Sequence, residues 1–205
     1  MKVKEIHLVN VHRLHLTVQC PSWRPFRTGD APHLPRTLLQ LFPDLTMDQC
    51  ENDYGLSFEE ECEDTEIPHL FEHLVMEVQG QIATPRKALT GETYWDWTVD
   101  PRGCFHVEVD YENEFLAIGA VRLAEKLINA IDQRRVETVD LEGELERLRM
   151  LAELTAGNGD RRQSKPGVSR PGPENGRRTR RAAPDLEMVL PGDGFAPGGA
   201  SAEAY

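Results

Sequence analysis

Five consecutive residues, His69-Leu70-Phe71-Glu72-His73, put two imidazoles and a carboxylate in the order H-x-x-E-H. On an α-helix, residues i and i+4 share a face roughly 6 Å apart along the axis, so His69 and His73 can offer nitrogens to one metal ion. Glu72 falls about 100° round the helix from His73, beside such an ion, where a carboxylate can take a proton from water. A catalytic zinc site needs a third protein ligand. Glu77 is the first candidate, lying at i+4 from His73 on the same stripe. It rises roughly 12 Å above His69, so three-way ligation asks for a bend or long side-chain reach, and support of His73 is its fallback role. Glu108 and Glu125 are reserve ligands. His106 alternates with Cys104 and Glu108 on one strand face and is placed to border the site, whereas His7, His12, His15 and His33 lack comparable spacing.

The order H-x-x-E-H is that of the inverzincin metallopeptidases, which makes a zinc-dependent hydrolase one reading of the helix. The alternative is an amphipathic helix whose polar face happens to carry two histidines and acids. The elements that must position the motif are legible. Ile67-Pro68 opens a helix with an apolar stripe of Leu70, Phe71, Leu74, Val75, Val78 and Ile82, and Pro85 closes it. Residues 3–11 and 14–18 alternate as two strands of a hairpin, and residues 104–111 alternate strictly as a half-buried strand. Short and long amphipathic helices are expected at 34–42 and 114–131, with a third, strongly charged one at 140–154. The stretch 86–103 reads as a loop with at most a short strand, and carries an aromatic-acidic cluster of Tyr94, Trp95, Asp96 and Trp97. That cluster either covers the sheet edge or offers rings and carboxylates to a guanidinium. The acidic run at 59–66 is a solvated face or a cation-attracting rim. The expected fold class is α+β, a small, mostly antiparallel sheet packed against two or three helices.

The chain has 205 residues with 23 Lys+Arg against 35 Asp+Glu, a formal charge of −12. Residues 1–156 hold 15 basic and 29 acidic residues, a net of −14, whereas 157–205 carry 8 and 6, a net of +2. The last 49 residues also take 9 of the 16 glycines and 6 of the 14 prolines. This divides the chain into a domain at 1–156 and a disordered Gly/Pro/Arg-rich tail at 157–205. The acidic domain argues against a polyanion-coating protein, which leaves nucleic acid only to the basic tail around 177–181. No apolar run approaches a membrane span, and the amino terminus lacks a signal-type apolar region, so the expected location is the cytoplasm. Cys20, Cys50, Cys62 and Cys104 form no C-x-x-C pair and read as free, mostly buried thiols. Phosphate-binding glycine motifs and a G-x-S-x-G nucleophile turn are also absent from the sequence.

The order of segments resembles the amino-terminal domain of cyanophycin synthetase. The likeness runs through Leu41-Phe42-Pro43-Asp44-Leu45, Cys50, the helix from His69 to Gln79, Arg86, Thr90-Gly91-Glu92, the strand at 105–111 and Gly119-Ala120-Val121-Arg122-Leu123. It covers about residues 1–155 and is most specific from His69 to Gln79. In that family such a domain is thought to bind cyanophycin, a poly-aspartate with arginine on each β-carboxyl, and in some members to trim it at a metallopeptidase site. The resemblance therefore implies an Asp/Arg polymer or peptide as ligand, and Arg86 as a group that binds a substrate carboxylate or stabilises an oxyanion. The family's ATP-grasp and Mur-ligase-like portions are not in this sequence, so polymer synthesis is not expected of it. Ile82-Ala83-Thr84-Pro85-Arg86 replaces the family's glycine-rich approach to its arginine, and residues 95–100 are an insertion. A non-catalytic module that binds the polymer or a protein stays open beside the hydrolase, as does a homo-oligomer.

Overall fold

Alternating strands on both sides of a short turn fold back on themselves, and that is how the chain begins. In the computed structural model, which describes residues 1–162 apart from 22–25, 51, 53–54 and 87, β1 (Lys2–Asn10) pairs antiparallel with β2 (Arg13–Gln19). Strand β4 (Cys104–Asp110) pairs with β2, and the short β3 (Gly91–Tyr94) pairs with β4, both antiparallel, giving the order β1-β2-β4-β3. The period of two sorts the faces. Leu14, Leu16 and Val18 of β2 and Phe105, Val107 and Val109 of β4 are fully buried. The intervening His15, Thr17, His106 and Glu108 form a half-buried outer face.

Five α-helices accompany this sheet among the described residues: α1 (His33–Leu41), α2 (Phe58–Glu61), α3 (Ile67–Ile82), α4 (Glu114–Asp132) and α5 (Leu141–Arg162). The fold is α+β. Helix α3 packs on β3 and β4 with one side and on α4 with another. Asn113 caps α4, its side chain accepting from the backbone N–H groups of Phe115 and Leu116. Ser57 and Glu60 form a reciprocal capping box at α2, inside the acidic run. The amino-terminal ammonium donates to Asn129 Oδ1 at 2.7 Å and the Val3 amide to Glu125 Oε1 at 3.1 Å, which ties β1 to α4.

One expectation needs adjustment. Helix α5, expected over 140–154, runs to Arg162. The rest of the expected tail, including its arginine cluster at 177–181, lies outside the described residues. Helix α3 is enclosed on every side: thirteen of its sixteen residues are buried and none is exposed. Glu72, His73, Glu77 and Gln79 are all enclosed. Polar groups buried without partners cost several kcal/mol on the order of magnitude, so this face must be satisfied by the surroundings. No helix among the described residues is long and apolar enough to cross a membrane.

Candidate metal centre

The acidic approach to α3 is held by one arginine. Arg27 Nε donates to Asp64 Oδ1 at 2.8 Å, Nη2 to the Asp64 carbonyl at 2.6 Å and Nη1 to Glu66 Oε1 at 2.5 Å. Beneath it two buried threonines lock together, the Thr65 amide donating to Thr28 Oγ1 at 2.9 Å and the Thr28 amide to the Thr65 carbonyl at 2.8 Å. The connection that delivers His69 is therefore fixed before the helix begins. Thr65 Oγ1 then lies 2.7 Å from His69 Nδ1, which leaves Nε2 of that ring facing the cleft.

One turn later His73 is only 2% exposed. Its Nδ1 meets Asp48 Oδ2 at 3.2 Å, and its ring stacks on Phe58 with centroids 3.7 Å apart. Burial alone would lower its basicity, but the hydrogen bonds it makes to Asp48 and Cys50 and the charge of Glu72 outweigh that and lift the pKa to about 9. His69 goes the other way, to about 4, because burial and the neighbouring His73 charge both disfavour its cation.

The third donor is Cys50, whose Sγ lies 3.4 Å from His69 Nε2. Donor atoms of Cys50, His69 and His73 all fall within 4.8 Å of one another. In both rings Nδ1 is taken by an oxygen, from Thr65 or Asp48, and this is how metal-binding imidazoles are oriented and held in one tautomer. Thiolate plus two imidazoles, with a position left open, is a donor set suited to zinc. The residues present thus fit a divalent ion of that kind.

Glu77 does not join this group. It is 1% exposed, accepts from Arg86 Nη2 at 2.6 Å and from Gln81 Nε2 at 2.8 Å, and so anchors the arginine instead of completing the donor set. Arg86 in turn lies across Gly80, where a Cβ would stand 3.1 Å from its Nε. Its outer nitrogens reach toward Asp44 and Asp48 at 3.7 and 3.8 Å. Of the reserve ligands, Glu108 pairs with Arg13 at 2.7 Å and Glu125 with the Val3 amide; neither lines the cleft. His106 does not border it either, because it points from the outer face of the sheet, where it meets His15 and Asp100.

Glu72 lines the same cleft as the donor atoms, and its charge acts on His73. It is 3% exposed, and Thr93 Oγ1 donates to its Oε2 at 2.5 Å. Burial is the largest influence on it and raises its pKa, against the opposing Thr93 hydrogen bond and His73 charge. Gly91 makes room for it, since a Cβ there would come within 2.5 Å of Oε1. These groups form the floor of a cleft of about 1280 Å³. Six carboxylates line it against two arginines, Arg13 and Arg86, and each of those arginines is already paired with acids. Trp95 stands at the rim, 42% exposed, while Trp97 packs edge-on against buried Phe105; the aromatic cluster both covers the sheet edge and faces the cleft.

Cys50, Asp48, Thr65 and Thr93 were not picked as site residues from the sequence, apart from the place of Cys50 in the family likeness. Asp48, Cys50 and Thr93 come from loops and a strand with no local spacing to His69 or His73, whereas Thr65 lies four residues before His69.

The model of the cyanophycin synthase-like N-terminal domain matches residues 15–133, a span that contains every group of this centre and leaves out β1 and α5. No curated protein matches the chain. With more than half of its length inside that match, the chain belongs to the family of cyanophycin synthase-like N-terminal domains.

Proposed function

We propose that this chain is a zinc-dependent hydrolase of cyanophycin or a related Asp/Arg-containing polymer or peptide, built on residues 1–156 with 157–205 as an appended basic segment. The observation that carries the reading is the convergence of Cys50, His69 and His73 within 4.8 Å in an acidic cleft that Glu72 also lines. Cys50, His69 and His73 would hold the zinc ion, which would supply Lewis acidity toward a scissile carbonyl and toward water. The rest falls to the chain's own groups. Glu72 takes the proton from the attacking water through the oxygen that Thr93 leaves free and returns it to the leaving amine, a task suited to a carboxyl whose basicity burial has raised. Arg86, held by Glu77, offers its remaining N–H groups to a carboxylate of the substrate or to the developing oxyanion. The carboxylate-lined walls and Trp95 receive guanidinium groups by charge-assisted hydrogen bonds and ring stacking.

A binding module without catalysis is the second reading. It is favoured by the excess of carboxylates in the cleft, which suits arginine side chains whether or not a bond is cut. Glu72→Gln separates the two, because it preserves shape while removing the base. Cleavage lost with zinc and polymer binding retained supports the hydrolase; polymer binding by a wild-type protein that never cleaves supports the module.

A further inference from the structure

Outside the cleft, on the outer face of the sheet, a second set of donors converges. Asp100, Cys104 and His106 each offer one ligand atom, all within 4.8 Å of one another, and none of the three lines the cleft. We propose that Asp100, Cys104 and His106 form a second binding site for a zinc-like divalent cation, which fastens the 95–103 loop to strand β4. The proposal stands independently of the hydrolase reading.

The backbone explains the convergence. Cys104 and His106 are two apart on β4 and therefore project to the same face. Asp100 comes from the loop, whose turn is held by the Asp100 amide on the Asp96 carbonyl at 2.8 Å and the Cys104 amide on the Pro101 carbonyl at 3.0 Å. Asp96 also accepts from the Thr98 amide and hydroxyl, and Trp97 Nε1 donates to the Cys104 carbonyl at 3.0 Å. The loop is thus shaped to bring one carboxylate back over the strand.

His106 is oriented as a ligand would be. Its Nε2 lies 2.9 Å from Asp100 Oδ2, and its Nδ1 lies 3.0 Å from His15 Nε2. With Nε2 on the ion, Nδ1–H donates to His15, the partner that fixes tautomer and ring angle in imidazole sites. The ring is held flat between His15 and Tyr94, with centroids 5.1 and 5.2 Å away. Tetrahedral zinc with S, N and O ligands sets donor separations at about 3.3–3.8 Å, so closing the set takes side-chain shifts of about 1 Å. On binding, the Cys104 S–H bond is replaced by a metal–sulfur bond and the proton passes to solvent. The mixture of thiolate, imidazole and one carboxylate selects zinc or cobalt over magnesium or calcium, which take all-oxygen sites. A fourth position remains for water.

Cobalt titration of the full chain tests this, because cobalt–thiolate absorption reports a cysteine ligand. Cys50→Ser removes the thiol of the cleft and leaves this site. That variant is expected to bind one equivalent of Co²⁺ with thiolate absorption, and zinc is expected to displace it. Cys50→Ser combined with Cys104→Ser is expected to lose the absorption. Because Cys104 is buried, Asp100→Asn on the loop and His15→Ala provide variants that spare the core; in the Cys50→Ser background each is expected to weaken binding about 10–100-fold with an unchanged circular dichroism spectrum. A Cys50→Ser protein that binds no cobalt overturns the proposal, as does affinity that Asp100→Asn leaves unchanged. Wild-type protein that binds a single equivalent, lost with Cys104→Ser and kept with Cys50→Ser, upholds this site and removes the metal from the cleft.

Discussion

Replacing Gly91 by alanine adds one methyl group and should disarm the site without touching the donor set. A Cβ on Gly91 would lie 2.5 Å from Glu72 Oε1 and 2.7 Å from both its Cδ and Cγ. Ordinary contact begins near 3.5 Å, so either the Glu72 side chain or strand β3 has to yield by about 1 Å. Glu72 has little freedom to do so, since it is 3% exposed and tied to Thr93 Oγ1 at 2.5 Å. The overpacking should cost about 1–3 kcal/mol of stability. A displacement of about 1 Å in a catalytic group costs about 100-fold in rate. The assay compares urea unfolding, zinc stoichiometry and polymer cleavage for wild type and Gly91→Ala. Zinc should stay bound, stability should fall within that range and kcat should drop about 100-fold. In a Glu72→Gln background the same substitution should have almost no further effect on rate, because the group it displaces is already disabled. A Gly91→Ala protein as active and as stable as wild type would refute the placement of Glu72 as the base.

Zinc affinity should fall as the solution is acidified, because the ion must displace the proton that His73 carries below about pH 9; that group alone gives about tenfold per pH unit below its pKa, and chelator competition at several pH values would show a flat line if the imidazole were not a ligand. The same raised pKa contributes stability to the metal-free protein below the unfolded value of 6.5, and this is lost as pH rises through about 9. Asp48→Asn, which removes a hydrogen bond that counters the burial of His73, should lower that pKa and flatten the stability profile between those limits; an NMR titration of His73 unmoved by the substitution would contradict the pairing. Glu77→Gln should free Arg86 from its 2.6 Å anchor, raising KM for the polymer more than it lowers kcat while zinc stoichiometry holds. Loss of zinc in that variant would return Glu77 to the metal.

The sequence carried the elements of this fold further than it carried the site. Periodicity located α3 within a residue or two, because Leu70, Leu74 and Val78 repeat at helical spacing, and the alternation of β2 and β4 is equally plain. His69, Glu72 and His73 were legible for the same reason, since their relation is set by a single helix. Cys50 was not, because 19 residues and an irregular connection separate it from His69, and no local rule spans such a loop. Glu77 looked like a ligand because helical spacing puts it near His73. What spacing cannot show is that Arg86 folds back over Gly80 and claims it. The same blindness hid Gly91, whose role appears only when β3 is laid against α3. Burial was the other hidden quantity, since spacing alone does not show that the sheet and loops close over the polar stripe of α3.

The central claim is that Cys50, His69 and His73 hold a zinc ion with which Glu72 cuts an Asp/Arg polymer. Incubating the zinc-loaded full chain with cyanophycin and weighing the released fragments tests it most directly. The account predicts fragments whose masses are whole numbers of the Asp–Arg repeat plus one water from wild type, and none from a Glu72→Gln protein that still carries zinc. Intact polymer after incubation with zinc-loaded wild type, or fragments released equally by Glu72→Gln, would contradict it.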